Sequence, residues 1–247
     1  MKIKPLLCGF LKIDKSGLTT GMNQGFKIDV PSFIWFVDGG EAKILVDTSY
    51  GDPALMSKWH YPCARSKDQE IANALKSVDC TPDDIEMVIH THLHWDHCWN
   101  VDLFRKATFI ARREEVSYAI APLGIHAVVY DAPTIGRKPG WLDAKYEFVS
   151  GDKELIKGVS LIFTPGHTPG HQSVVVETDA ATYVIAGDAV PLYENLNGTP
   201  FSKYTATTHV NAQQWWDSAE KIMEIAEVRE RILPGHDLEV SKKKQYP

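Results

Sequence analysis

Short apolar runs separated by turn residues recur along the chain. Most are bounded by Gly, Pro, Asp or Thr, and apolar runs of about four to eight residues with such boundaries are typical of buried β-strands. The stretch Asp38-Gly39-Gly40 favours a hairpin turn, because glycine adopts positive φ at little cost. The runs are FIWFVDGG (33–40), AKILVDT (42–48), EMVIH (86–90), ATFIA (107–111), VSLIFTPG (159–166), HQSVVVET (171–178), TYVIAGD (182–188) and RERILPG (229–235).

Helical periodicity separates these strands. Ile71, Leu75 and Val78 recur at i, i+4 and i+7, as expected for the buried face of a helix. Thr81 followed by Pro82 matches an N-cap with proline at the first helical position. Sheets packed between helices, with no internal boundary, predict a single α/β domain over 1–247. A second helical set near the C-terminus comprises Trp215, Ala219, Ile222, Met223 and Ala226.

Composition and charge restrict the class of protein. The chain has 247 residues, of which 44% are hydrophobic, which is enough to bury a large core. Its net charge of -6 offers no cationic surface for nucleic acid, and no segment approaches the roughly 20 apolar residues of a membrane span. Lys12 and Asp14 interrupt the apolar start, so we expect a cytoplasmic protein, either a monomer or a homodimer. Four widely spaced cysteines suit reduced thiols: Cys8, Cys63, Cys80 and Cys98.

Four histidines and an aspartate follow one strand in the segment IHTHLHWDH (89–97). Side chains alternate along an extended backbone, so His92, His94 and Asp96 project to the same side. A turn at Asp96 would aim Asp96 and His97 together at a second, neighbouring position. The segment therefore predicts two adjacent metal positions.

Further ligand-type residues end three later strands. His167 follows the run that ends at Phe163, Asp188 ends TYVIAGD, and His236 ends RERILPGHD. Strand ends are where α/β sheets carry their functional sites. These three residues can complete the coordination that the first cluster begins.

The ordered ligand set resembles the metallo-β-lactamase superfamily and is most similar to its branch of N-acyl-homoserine lactonases and related lactonases. The likeness covers nearly the whole chain and includes AKILVDTSYGDP, TPGHTPGHQSVVVET, AGDA and PGHDLEV. It implies a four-layer αβ/βα sandwich with two mixed β-sheets between helices. It also implies one metal at His92, His94 and His167, a second at Asp96, His97 and His236, and Asp188 as the bridge.

This donor set and the resemblance together indicate a hydrolase. Imidazole and carboxylate without thiolate favour Zn²⁺ and would also accept Mn²⁺, Fe²⁺ or Co²⁺. Two such cations generate hydroxide at neutral pH and stabilise the anionic intermediate of acyl transfer. Asp96 could carry a proton to the leaving alkoxide. Related lactonases place a catalytic tyrosine where this chain has Pro191, and Tyr193 is the nearest substitute.

Several residues near the ligands carry weaker expectations. Asp47 could orient a ligand imidazole or cap a turn. His90 is expected to be buried structure, and His171 to form hydrogen bonds rather than bind metal. Cys98 is expected to be a buried thiol.

The sequence alone does not determine the class of substrate. Apolar residues could line an acyl groove or belong to the core, and Arg137 with Lys138 could bind a substrate carboxylate or be a solvated pair. The residues 117–148 could form a lid or pocket wall, or a surface insertion. A lactonase is the leading hypothesis; the alternatives are a thioesterase or β-lactamase on the same scaffold and a non-catalytic metal-binding module. The apolar groove candidates are Met22, Phe26, Trp35 and Tyr50.

Overall fold

A computed structural model of the protein describes residues 1–38 and 40–247. Two long strands begin the chain, and shorter strands follow. The strands are β1 (Lys2–Asp14), β2 (Lys27–Asp38), β3 (Ile44–Val46), β4 (Cys63–Ala64), β5 (Met87–Ile89), β6 (Thr108–Arg112), β7 (Tyr146–Val149), β8 (Lys153–Ile156), β9 (Val159–Phe163), β10 (Gln172–Glu177), β11 (Thr182–Gly187) and β12 (Ile232–Pro234).

Helices and single helical turns connect the strands. The α-helices are α1 (Pro53–Trp59), α2 (Ile71–Lys76), α3 (Arg113–Ile120) and α4 (Ala212–Ala226). None of the helices in the described ranges is both long and apolar enough to cross a bilayer. The 3-10 turns are Lys15–Gly17, Lys67–Gln69, Pro82–Asp84, Val101–Leu103, Gly124–His126, Pro133–Ile135, Gly140–Asp143, Tyr193–Leu196, Arg229–Arg231 and Leu238–Lys242.

The strands form two mixed sheets. The first has the order β4-β1-β2-β3-β5-β6-β7 and the second the order β12-β11-β10-β9-β8. In the first sheet, β1, β2 and β3 pair antiparallel, whereas β3, β5, β6 and β7 run parallel. In the second sheet only the β11–β12 pair is parallel.

Helices cover the outer faces of both sheets. Along β2, Phe33, Trp35 and Val37 face the apolar layer between the sheets, while Ile34 and Phe36 face the side packed by α2. Strands buried on both faces are continuous apolar runs rather than alternating ones. Helix α4 packs against the outside of the second sheet. The αβ/βα four-layer sandwich that the sequence predicts is therefore confirmed.

The apolar layer between the sheets draws on nearly the whole length of the chain, from Ile3 to Tyr246. This shared core supports a single domain over 1–247, which stays a prediction. The predicted strand runs all contain strands, and β2 pairs antiparallel with β3 as a hairpin requires. Gly39 of the proposed turn lies outside the described residues.

Strand β1 and helices α1 and α3 were not among the elements that the sequence pattern predicts. Lys2, Lys4 and Lys12 interrupt the apolar run of β1, yet Lys4 extends its side chain over the Phe36 ring with its ammonium 5.9 Å from the centroid. A lysine stem can cover apolar surface while its charged end stays in water. Lys4 therefore fits a strand in which buried residues are mixed with partly buried and exposed ones.

Candidate metal centre

Seven side chains from four separate loops converge at one end of the sandwich. The loop after β5 provides four of them, and one each follows β9, β11 and β12. They form three overlapping groups in which the ligand atoms lie within 4.8 Å of one another. The groups are His92, His94 and His167; His92, His97 and Asp188; and Asp96, His97 and His236.

A turn at residues 95–97 explains how one loop serves two positions. The His97 amide donates to the His94 carbonyl at 3.0 Å, which reverses the chain as the sequence predicts. Beyond the turn, His97 Nε2 lies 3.2 Å from His236 Nε2. Before it, His94 Nδ1 lies 3.1 Å from His167 Nε2.

Asp188 lies between the two groups. Its Oδ1 is 3.2 Å from His236 Nε2 and 3.4 Å from His97 Nε2. Its Oδ2 is 3.5 Å from His167 Nε2. One carboxylate thus faces both groups with different oxygens, which is the arrangement that a bridging ligand needs.

Four of the five histidines present a bare ring nitrogen to this space, because their other nitrogen is engaged outside it. Nδ1 of His97 donates to Asp47 Oδ2 at 2.8 Å, that of His236 to the Pro31 carbonyl at 2.8 Å, and that of His167 to the Thr208 carbonyl at 2.7 Å. Such outer hydrogen bonds fix the tautomer and orientation of metal-binding imidazoles. Asp47 therefore orients a ligand-type imidazole, one of the two roles that the sequence left open.

His92 follows the same rule through a hydroxyl. Thr91 Oγ1 donates to the Asp47 carboxylate at 2.9 Å, so it accepts from His92 Nδ1 at 3.0 Å. His92 Nε2 is then bare, and it has no hydrogen-bond partner within the part of the chain that the structure describes. Asp188 Oδ1 is likewise buried without a hydrogen bond there.

These residues fit divalent cations. Two ligands about 2.0–2.1 Å from a tetrahedral ion lie about 3.3 Å apart, close to the 3.1 Å and 3.2 Å between the facing imidazole nitrogens. Because Nδ1 of His97 and of His236 is occupied as a donor, the facing Nε2 lone pairs of these two residues repel unless a positive charge lies between them. The bare His92 Nε2 and Asp188 Oδ1 supply further donors to the same space.

The electrostatics of the site also favour positive charge. Burial lowers the pKa of His92, His94 and His167, which keeps these imidazoles neutral and able to coordinate. Burial opposes protonation of His97 as well, but the Asp188 and Asp96 carboxylates raise the pKa of His97 well above its usual value. These carboxylates therefore attract a cation, whether a proton or a metal ion.

The pKa of Asp188 shifts in the opposite direction, to below its usual value. Burial favours its neutral form, but the adjacent imidazoles of His236 and His97 hold the pKa of Asp188 well below its usual range. It is therefore a charged carboxylate at neutral pH. An anionic oxygen between two sets of imidazoles is a strong ligand for a divalent ion.

His171 supports Asp188 without facing the metal space. Its Nε2 accepts from the Asp188 amide at 3.1 Å, and its Nδ1 lies 2.9 Å from Thr164 Oγ1. Both ring nitrogens are therefore used, as the expected hydrogen-bonding role requires. His90 is also structural, since Nδ1 lies 2.9 Å from the Tyr146 hydroxyl. Cys98 is a buried free thiol.

A cavity of about 130 Å³ opens onto the proposed ligands. Its wall combines apolar side chains with a few polar ones, and Val129 places part of 117–148 in that wall. Other residues of the segment pack in a separate apolar cluster that includes Ala127, Tyr130 and Trp141, so the segment has features of both interpretations. Among the described residues no lysine or arginine lines the cavity, whose residues are Leu11, Ile13, Asp14, Gly17, Leu18, Val30, Tyr61, His94, Trp95, Asp96, Val129, His167, Asp188, Thr208 and His236.

The structure does not bring Tyr193 into this site. Its hydroxyl donates to the Ile232 carbonyl at 3.0 Å, and its ring lines a separate cavity with Arg229 and Tyr246. The 3-10 turn that begins at Tyr193 directs the ring behind β12 rather than towards Asp188. The Tyr193 hydroxyl therefore does not face the cavity that opens onto the proposed ligands, and the expected role of this phenol in binding substrate is wrong.

The other substrate candidates also lie elsewhere. Trp35 and Tyr50 are buried in the core, while Met22 and Phe26 are 40% and 60% exposed and do not line the cavity. Arg137 forms an ion pair with Asp131, and Lys138 pairs with Asp143 at 2.6 Å. The apolar wall comes instead from β1, Val30, Trp95 and Val129.

Sequence reasoning missed one buried group that contacts two of the ligand-bearing loops. Glu115 is 1% exposed and accepts hydrogen bonds from the backbone next to His92 and His94 and from the loop that carries His167. In sequence it is one of two acids in the first turn of α3, which is a common position for a solvent-exposed acid. No signal in the sequence distinguishes it from its neighbour Glu114.

The fold and the convergence of ligands define the class of protein. The family model for the metallo-beta-lactamase superfamily matches residues 28–236. The chain belongs to this superfamily, as the motifs indicate.

Its relatives include N-acyl homoserine lactonases. It is 27% identical to N-acyl homoserine lactonase AiiA of Bacillus thuringiensis subsp. kurstaki, covering 95% of this chain and 92% of that protein. It is 28% identical to N-acyl homoserine lactonase AttM of Agrobacterium fabrum, covering 87% and 86%. It also matches the structure of an N-acyl homoserine lactone hydrolase with N-hexanoyl-L-homoserine bound at the catalytic metal centre, with a TM-score of 0.80, 25% identity and coverage of 98% and 95%.

Proposed function

We propose that this chain is a metal-dependent hydrolase that opens a lactone ring, an N-acyl-homoserine lactone or a related one. The observation that carries the proposal is the convergence of seven ligand-type side chains at the floor of an apolar cavity. The names of the relatives support lactones as the substrate class. Location in the cytoplasm and the oligomeric state stay predictions.

The seven residues would hold two divalent cations. His92, His94 and His167 would bind one, Asp96, His97 and His236 the other, and Asp188 would bridge them. Zn²⁺ suits this imidazole and carboxylate set best, and Mn²⁺, Fe²⁺ or Co²⁺ could also bind. When bound, such a pair supplies hydroxide at neutral pH and polarises the ester carbonyl.

The protein's own residues would position the substrate and move the proton. Asp96 lines the cavity and keeps part of its side chain accessible, at 15%, so it can carry a proton to the alkoxide that leaves when the ring opens. Leu11, Ile13 and Val30 form an apolar wall that would take an acyl substituent and exclude bulk water.

The charge of the cavity favours a neutral substrate. Anionic thioesters and β-lactams carry carboxylates that proteins bind with arginine or lysine, and the described part of the cavity wall contains neither. Asp14 adds a negative charge at the wall, since its hydrogen bonds with Ser16 lower its pKa to about 2. A neutral acylated lactone avoids this repulsion.

The test is a substrate panel with metal-loaded protein. The panel pairs a neutral lactone with the same lactone carrying a carboxylate on its side chain, and adds a glutathione thioester, a cephalosporin and a phosphodiester. We expect stoichiometric release of acid from the neutral lactone and at least about tenfold lower kcat/KM for its anionic partner, a difference of about 1.4 kcal/mol. Preferred turnover of the thioester or cephalosporin would assign the alternative hydrolase.

Protein without bound metal is the matched control for each substrate. If two ions bind and no compound in the panel is turned over, the non-catalytic metal-binding alternative replaces the lactonase proposal.

A further inference from the structure

A buried carboxylate links two of the loops that carry the proposed ligands. Glu115 lies in the first turn of α3 and is 1% exposed. The loop that carries His167 packs directly on this turn: a Cβ added at Gly170 would lie 2.2 Å from the Glu115 amide nitrogen. Only glycine permits so close an approach of two backbones.

Four donors saturate the carboxylate of Glu115. Oε1 accepts from the Leu93 amide at 3.0 Å and from the Tyr130 hydroxyl at 3.2 Å. Oε2 accepts from Thr168 Oγ1 at 2.7 Å and from the Gly170 amide at 2.9 Å. Burial raises the pKa of Glu115, and these hydrogen bonds oppose the rise.

Three of the four donors adjoin a proposed ligand of one metal position, and the fourth, Gly170, lies in the loop that carries His167. Leu93 lies between His92 and His94 in the chain, and Thr168 follows His167 directly. The Tyr130 ring packs edge to face on the His94 ring, with centroids 4.8 Å apart. The carboxylate thus joins the two backbones that carry this group, and Tyr130 adds a contact to one of its imidazoles.

The group of Asp96, His97 and His236 is oriented by residues other than Glu115. Asp47 accepts from His97 Nδ1, and the Pro31 carbonyl accepts from His236 Nδ1. Neither contact involves Glu115. Asp47 also reaches His92 of the first group through Thr91, so Asp47 contacts both groups, whereas Glu115 contacts only the loops that carry the first.

We propose that Glu115 is a positioning residue that sets the spacing of His92, His94 and His167 and so controls the affinity of one metal ion independently of the other. This inference rests on the proposed function, because it takes these histidines as ligands. It concerns the relative placement of two loops, not contact with metal or substrate.

A carboxylate is required for geometric reasons. Glutamine has one acceptor oxygen, and its amide group would direct N–H bonds at the donors on the other side. The hydroxyl on that side, of Tyr130 or Thr168, could rotate and accept, but the backbone N–H of Leu93 or Gly170 would lose its acceptor and be pushed away. Since ligand distances tolerate only about 0.2 Å, this displacement weakens coordination even when the protein stays folded.

The experiment measures stepwise metal affinities of metal-free protein by competition with a chromophoric chelator. His94→Ala and His236→Ala assign each step to one group. We expect Glu115→Gln to weaken the step lost in His94→Ala by about tenfold to 100-fold, as is typical of residues that support ligands, and to leave the other step unchanged. Asp47→Asn should weaken both steps, because Asp47 accepts from His97 directly and supports His92 through Thr91. When Glu115→Gln is titrated with Co²⁺, its absorption spectrum should differ from that of the unsubstituted protein only in the binding step that His94→Ala removes.

Two controls separate positioning from general stability. Glu114→Gln makes the same change at an exposed neighbour on the same turn and should leave both affinities unchanged. Leu75→Ala removes a core side chain in the layer outside the first sheet and should lower Tm without selective loss of either ion. Tyr130→Phe and Thr168→Val remove single donors and should give smaller losses at the same step, which tests the inference if Glu115→Gln does not fold.

The outcomes distinguish the two proposals. If the unsubstituted protein binds no metal, the proposed function fails. A second outcome is that the unsubstituted protein binds two ions while Glu115→Gln binds them with unchanged affinity, or with both affinities reduced equally, as a general loss of stability would cause. In either case the proposed role of Glu115 is wrong and the proposed metal centre stands. Unchanged affinities in both Tyr130→Phe and Thr168→Val would also overturn it.

Discussion

Asp188 is the side chain with the most contacts to both proposed metal groups. Its two oxygens lie 3.2–3.5 Å from nitrogens of three histidines. In Asp188→Asn one oxygen becomes an amide N–H group and the negative charge is lost. We expect loss of at least one bound ion and a fall of more than about 100-fold in kcat/KM, beyond the effect typical of residues outside the coordination sphere.

Elemental analysis together with lactone kinetics checks this prediction for Asp188. Asp217→Asn, on the exposed side of α4, is the matched control and should retain both ions. Full metal content and full activity in Asp188→Asn would contradict its assignment as the bridge.

For Tyr193 we expect an effect on stability and none on catalysis. Because its hydroxyl donates to the Ile232 carbonyl, away from the cavity, Tyr193→Phe should leave kcat and KM for the lactone unchanged. It should lower the free energy of unfolding by about 0.5–1.5 kcal/mol, the usual contribution of one hydrogen bond. Denaturant unfolding and steady-state kinetics on the same preparation test both parts, and a selective loss of kcat would restore a catalytic role.

At the scale of residues, the sequence predicts ligands better than their supports. The histidines and aspartates are recognisable because their spacing and their positions after strands are unusual. The groups that orient them include the carbonyls of Pro31 and Thr208, which carry no sequence signal because every residue has a carbonyl. Glu115 escapes detection for a related reason, since only folding shows that its carboxylate is buried.

At the scale of elements, the segment between α3 and β7 packs against the metal centre instead of standing apart from it. The Trp95 amide donates to the Val129 carbonyl at 2.9 Å, and the Tyr130 ring packs edge to face on the His94 ring with centroids 4.8 Å apart. The sequence of this segment lacks a regular period because it forms short 3-10 turns. Periodicity therefore could not decide between a wall and an insertion.

The contact of this segment with the turn Val101–Leu103 depends on a close approach at Gly140. A Cβ there would lie 1.9 Å from the Trp99 carbonyl oxygen. Gly140→Ala should lower stability by about 1–3 kcal/mol through overpacking, which corresponds to a Tm loss of about 2–12 °C for a chain of this size. We also expect KM to rise, because Val129 would shift within the cavity wall.

Gly124→Ala is the control for this prediction. Gly124 belongs to the same segment, and a Cβ at that position meets no atom within 4 Å. Thermal unfolding and KM should match those of the unsubstituted protein. Equal KM values for both variants would show that the segment does not shape the substrate site.

At the scale of the whole molecule, the candidate metal centre draws its residues from loops of both sheets. The loop with His92 to His97 follows β5 of the first sheet, whereas His167, Asp188 and His236 follow β9, β11 and β12 of the second. The sequence predicts the two-sheet sandwich only through its resemblance to a family. Apolar runs indicate which segments are strands, but they do not determine which strands are neighbours. The first sheet pairs β3 with β5 although α1, β4 and α2 lie between them in the chain.

Because the ligands come from both sheets, metal removal should loosen the contact between them as well as abolish activity. An ion present at 1,000 times its dissociation constant stabilises the folded state by about 4 kcal/mol, which is about 8–16 °C in Tm for a chain of this length. We expect chelated protein to unfold at a Tm lower by at least this amount and to recover on addition of Zn²⁺. Amide hydrogen exchange should increase in residues 91–97 and 164–170 together, because the loops lose a shared partner. Recovery of activity without any rise in Tm would mean that the ions bind without joining the sheets. Increased exchange in only one of the segments 91–97 and 164–170 would mean that the metal ions hold that loop alone.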